Sequence, residues 1–187
     1  MGAKEGRMNE AETQDLLSAR FLARIPLFQG FSLAELSDLR SAMQVERKPA
    51  GSTIIRQGQI GGQDFYVLVE GSVVVQENGV VVANRKPYAP IGELAFITNR
   101  KRTATVQAET DCVLLRVDAE KVRAVIQKNP MVAWKLMEAI ARLLCDRWAE
   151  LDNRVRELLA EAPELQKRYA KVREEALSIS SPKGEEE

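Results

Sequence analysis

The stretch Gly92 to Val106 reads GELAFITNRKRTATV. It opens with a glycine and a lone carboxylate, Glu93, crosses a short apolar turn, and reaches a basic cluster that ends at Arg102. The small residues Thr103, Ala104 and Thr105 follow. GELAF predicts one short helix, whose first amides have no intrahelical partner and point toward an anion. Arg102 brings a planar fork of donors that matches phosphate oxygens. An ionised Glu93 can only accept hydrogen bonds, so it suits hydroxyls. An acid for hydroxyls, an arginine for phosphate and bare amides between them describe a ribose phosphate site. Ala104 and Thr105 are small enough to let a ligand approach the backbone, and Thr103 adds a hydroxyl beside the arginine.

On both sides of this stretch the texture is that of a β domain. STIIRQG, DFYVLVEG, SVVVQ, GVVVAN, TATVQAE and CVLLRVD each read as strands, rich in β-branched residues and bounded by glycines. Asn78-Gly79 between two valine runs signals a tight hairpin, because both residues tolerate positive φ. Many short strands flanked by helices predict a mainly β fold with flanking helices, a jelly-roll β-barrel plus a long C-terminal helix.

The helices lie at the two ends. Leu16, Leu17, Phe21 and Leu22 form one helical stripe, which Pro26 ends. A second helix starts at Ser32, with Glu35 completing a capping box and Leu33, Leu36, Leu39 and Met43 as its apolar positions. Asp118 caps AEKVRAVIQ, and Pro130 opens a long helix. Two seams run along that helix at heptad spacing: Trp134, Ala141, Trp148, Val155, Ala162, and Met137, Leu144, Leu151, Leu158, Leu165. Their alternating offset of three and four is that of a coiled coil, so a homodimer through the 130–162 helix is expected. Pro163 interrupts the register, after which ELQKRYAKVREEAL can restart as an amphipathic helix. The chain therefore divides into a flexible tail (1–11), a barrel with its leading helices (12–128), a dimerisation helix (129–162), and a short helix with a disordered tail beginning at SISSPKGEEE (163–187).

Composition removes several functions. Lysine plus arginine equals aspartate plus glutamate, 27 against 27, so the basic excess of a nucleic-acid or anionic-membrane binder is missing. There is no histidine, which excludes Ser-His-Asp and Cys-His catalysis and the commonest zinc ligands. No catalytic residue and no metal are expected. Cys112 and Cys145 both sit in apolar patterns and read as buried thiols of a reducing compartment. No apolar run is long enough to span a membrane, and the polar N-terminus does not resemble a secretion signal, so a cytoplasmic protein is expected.

GELAFITNRKRTATV resembles the phosphate-binding cassette of cyclic nucleotide-binding domains. IPLFQGFSLAELSDL resembles the helical lead-in of that family, and GSTIIRQGQIGGQDFYVLVEGSVVV its first barrel strands. The long helix after Asn129-Pro130 is similar to the dimerising helix of the bacterial catabolite-activator branch. The resemblance implies that Glu93 binds the ribose 2′-hydroxyl and that Arg102 pairs with the cyclic phosphate. Gly92 and the amides around Leu94, Ala95 and Ala104 would complete the cradle, with Thr103 touching the phosphate or the base. In the activator branch the long helix caps the base, which brings in Arg147 and Trp148; Trp148 is equally a filler of the seam. Tyr88-Ala89-Pro90-Ile91 stands where the family has Gly-Asp and an aromatic residue. No domain-sized segment follows residue 165, so the activator's DNA-binding output is not expected. The expected function is that of a stand-alone sensor of cyclic AMP, ahead of cyclic GMP, signalling to an effector protein the sequence does not name. The alternative is a dimeric scaffold with a relic pocket, which predicts dimers without nucleotide affinity.

Overall fold

A computed structural model describes residues 10–160 and 162–180. It separates into two compact units, the first ending at Ile140 and the second beginning at Ala141.

The first unit opens with helices. The single stripe expected from residue 13 onward is two helices, α1 (Glu10–Leu16) and α2 (Ala19–Leu22). The break falls at Ser18, whose extended backbone and hydroxyl cap α2 by accepting the Phe21 amide at 3.1 Å. A 3-10 turn, Pro26–Phe28, leads to α3 (Leu33–Arg40). The capping box at α3 is present: Ser32 accepts the Glu35 amide at 3.2 Å, and Glu35 accepts the Ser32 amide at 2.7 Å. Met43, expected on this helix, instead opens a strand.

Eight strands follow: β1 (Met43–Lys48), β2 (Thr53–Ile55), β3 (Phe65–Glu70), β4 (Val73–Glu77), β5 (Val80–Arg85), β6 (Pro90–Ile91), β7 (Thr105–Ala108) and β8 (Cys112–Val117). They form two four-stranded antiparallel sheets, ordered β1-β8-β3-β6 and β2-β7-β4-β5. This is the jelly-roll arrangement with flanking helices that the strand pattern predicts. The hairpin between β4 and β5 turns on Asn78 and Gly79, both at positive φ (51° and 81°), with Glu77 opposite Val80. Two strands were not among those read from the sequence. β1 alternates weakly and is defined by its six-residue pairing with β8; β6 is two residues long and pairs with Tyr66 and Val67.

The barrel interior is a cluster of Ile55, Leu68, Val73, Ile91, Val106, Ala108, Cys112 and Leu114. Leu22, Ile25, Phe28, Leu36 and Leu39 are fully buried among the leading helices. The short helix α4 (Glu93–Thr98) interrupts the strands, and α5 (Ala119–Lys128) follows β8 with Asp118 as its cap. Then α6 runs from Pro130 to Ala160. Val132, Leu136 and Ile140, spaced four apart, are its buried line, while Trp134 and Met137 face out.

In the second unit, the remainder of α6 exposes Trp148, Leu151 and Leu158. The helix stops at Ala160, so Ala162 and Leu165 lie beyond it and the uninterrupted seam ends at Leu158. Cys145, expected to be buried, is exposed, since it lies off the buried line of α6. A further helix, α7 (Pro163–Ser180), restarts at the proline. It includes Ser178, where the sequence reading starts the tail; residues 1–9 and 181–187 lie outside the described residues. Among the described residues, no helix is long and apolar enough to cross a membrane.

Candidate functional site

The opening stretch is positioned by two strands, β6 and β3. β6 pairs with β3, placing Pro90 opposite Val67 and Ile91 opposite Tyr66. The unusual Tyr88-Ala89 approach is hooked onto β3 as well: Leu68 accepts the Tyr88 amide at 2.6 Å and donates to Ala89 at 3.0 Å. Tyr88 takes a left-handed conformation (φ 71°) to make this turn. The departure from the family's pattern thus leaves the strand leading into Gly92 intact.

Gly92 caps α4 in the left-handed region, φ 82°. A Cβ there would lie 2.6 Å from Ile55 Cδ1 and 2.7 Å from Arg102 Nη1. Only glycine allows the chain to turn here while a guanidinium lies against it. Asn99, also left-handed, ends the helix, and its amide donates to Ala95 at 3.0 Å.

Arg102 is held from several sides. Its Nη1 donates to the Gly92 carbonyl at 2.9 Å, and its Nη2 donates to the carbonyls of Gly62, at 2.6 Å, and Asp64. The backbone is fixed too: the Arg102 amide donates to Gln59 at 3.2 Å, and its carbonyl accepts from Gly58 at 2.8 Å. The residue is only 7% exposed. Burial pulls the guanidinium below its ordinary range, and the neighbouring Tyr66, Asp64 and Glu93 pull it back up. It remains a cation at neutral pH.

Glu93 is buried, and so is Ala95; Leu94 is exposed, Ala104 half-buried and Thr103 exposed. Thr105 accepts the Gln57 amide at 3.0 Å, which joins the end of β2 to the start of β7. Gln57 also exchanges two hydrogen bonds with Asn78, fastening the hairpin tip to the same loop.

A cleft of about 870 Å³ opens between the 57–63 and 99–103 segments, with Arg102 and Thr103 in its wall. That size suits a small organic ligand. Gly92, Glu93, Leu94, Ala95 and Ala104 do not line it. Gly92 meets Arg102 through its carbonyl, and the charge of Glu93 is felt at the guanidinium. The acid and the arginine of the motif are therefore brought together, with the cleft on the arginine's side. Arg147 and Trp148 belong to the second unit, where Arg147 is half-buried and Trp148 exposed. Among the described residues, no cluster of ligating side chains is grouped to hold a metal ion.

Residues 45–129 match the model of the cyclic nucleotide-binding domain. The N-terminal domain of a transcriptional regulator from Streptomyces coelicolor is similar over 67% of this chain and 93% of its own, at 30% identity and a TM-score of 0.57. The chain belongs to the cyclic nucleotide-binding domain family.

The catabolite activator protein of Thermus thermophilus is similar over 68% of this chain and 62% of its own, at 31% identity and a TM-score of 0.57. The Pycsar effector protein XpPycTIR of Xanthomonas perforans is 37% identical over 100 residues, 53% of this chain and 33% of that one. The chain spans at most 36%, and as little as 11%, of the length of the curated relatives compared with it.

Sequence reasoning missed the 57–64 loop, which lines the cleft and meets Arg102. Its contribution to Arg102 is made by backbone carbonyls, which carry no side-chain signature. The available signal was the trio Gly58, Gly61 and Gly62, all at positive φ, which read as ordinary turns.

Proposed function

We propose that this chain is a cyclic nucleotide sensor without catalysis of its own, which passes its signal through the α6 helix of a homodimer to an effector protein. One observation carries the reading: Arg102 is buried and oriented by three carbonyls beside Gly92 and Glu93, within a chain of the cyclic nucleotide-binding family. A cation prepared in this way suits the single negative charge of a cyclic phosphate. Glu93 would accept the ribose hydroxyl, the amides of Leu94, Ala95 and Ala104 would complete the phosphate cradle, and Thr103 would meet the phosphate or the base. Cyclic AMP is the first ligand to expect and cyclic GMP the second. No metal takes part, and the expected compartment is the cytoplasm.

Calorimetric titration with both nucleotides, on wild type and Arg102→Ala, tests the proposal. Wild type should bind one of them, and the variant should lose about 1.5–3 kcal/mol, the worth of a charge-assisted hydrogen bond, or more. Equal affinity in the variant would refute the role given to Arg102.

The second reading, a dimeric scaffold, draws on the outward-facing residues of α6, among them Trp134, Met137, Trp148, Leu151 and Leu158. It predicts association with no heat from either nucleotide.

A further inference from the structure

The loop between β2 and β3 gives Arg102 two of its three carbonyl acceptors; Gln57 ties its start to Thr105 and Asn78, and three of the residues that follow are glycines. Gly58, Gly61 and Gly62 all have positive φ, and a Cβ built on any of them would meet nothing within 4 Å. Ile60 is 77% exposed. Such a loop needs an external anchor if its carbonyls are to stay aimed at one guanidinium.

Asp64, its last residue, is anchored at both carboxylate oxygens. Oδ2 accepts from Arg116 Nε at 2.8 Å and from Arg116 Nη2 at 2.6 Å. Oδ1 accepts the Ala119 amide, in the first turn of α5, at 2.9 Å. The neighbouring Gln63 accepts from Arg123, also on α5. Helix capping alone does not account for this, because Asp118 already caps α5 by accepting the Glu120 and Lys121 amides, each at 3.0 Å. The side chain of Asp64 is thus clamped between β8 and α5 while its own carbonyl accepts from Arg102.

We infer that Asp64 is a positioning residue of the phosphate site: its clamped carboxylate aims its carbonyl, and so orients the Arg102 guanidinium. The inference rests on the reading of Arg102 as the phosphate ligand. It also means that the arginine is referenced to the amino end of α5, the helix that leads into α6.

The test uses the full chain as wild type, Asp64→Asn, Arg102→Lys and the double variant. Two quantities are measured: water exchange of the Arg102 guanidinium protons by NMR, and the Kd for cyclic AMP and cyclic GMP by calorimetry. Asp64→Asn should speed that exchange and raise the Kd on the order of tenfold, the size expected when a charge-assisted contact is lost. Added to Arg102→Lys it should cost little more, because both changes act through one interaction. Unchanged exchange, or losses that simply add, would overturn the proposal. Arg116→Gln loosens the clamp from the opposite side and should move both readouts the same way, which keeps the test usable if Asp64→Asn folds poorly. If wild type binds neither nucleotide, the ligand assignment fails, and guanidinium exchange in Asp64→Asn still decides whether this residue positions Arg102.

Discussion

A single methyl group at position 92 would collide with two atoms at once, Ile55 Cδ1 and Arg102 Nη1. Gly92→Ala therefore combines backbone strain at φ 82° with displacement of the guanidinium. It should lower stability by about 1–3 kcal/mol and weaken nucleotide binding as well, read by denaturant unfolding and by titration. A variant of full stability and affinity would show that the close approach is dispensable. At this scale the charged pair was legible, because Glu93 and Arg102 declare their chemistry through residue type. Asp64 was not, since what it gives Arg102 is a main-chain oxygen that any residue possesses. Its clamp partner Arg116 lies 52 positions away, and only the pairing of β3 with β8 brings the two together.

Among the elements, the capping box of α3 does more than start a helix. Glu35 also accepts from Lys135 of α6, at 2.7 and 3.0 Å, and that ammonium lies 5.7 Å from the centre of the Phe31 ring. The Lys135 bond, with help from the Ser32 amide, holds the Glu35 carboxyl below its ordinary value of 4.5, against the effect of burial. A carboxyl whose folded-state pKa is depressed contributes stability above its unfolded value and loses it as pH falls through the folded one. Glu35→Gln should thus cost about 1–3 kcal/mol at neutral pH, with the gap to wild type narrowing as the pH drops below 4.5. Unfolding curves at several pH values check this, and a gap that does not change with pH would refute it. The box was legible in the local sequence, whereas the ion pair spans 100 positions and was not. The break at Ser18 and the strand beginning at Met43 escaped for a related reason. An apolar stripe constrains which face is buried more tightly than where a helix stops.

For the molecule as a whole, α6 carries one buried line, Val132, Leu136 and Ile140, and a separate outward set of large apolar residues. The heptad spacing of that outward set was plain in the sequence; the end of the helix at Ala160 was marked only by the nearby proline. If the seam pairs with a second copy, the wild type should sediment at twice its 20.9 kDa chain mass. Leu151→Glu should raise the dimer dissociation constant on the order of a hundredfold or more and leave the barrel folded. A wild type that sediments as a monomer at every concentration tested would refute the seam. The chain's 2 tryptophans, Trp134 and Trp148, both stand on that seam, 67% and 71% exposed. The barrel contributes none, so the protein's entire indole fluorescence originates on one helix. Its emission colour is a label-free gauge of how wet the seam is, red when water reaches it and blue when another surface covers it.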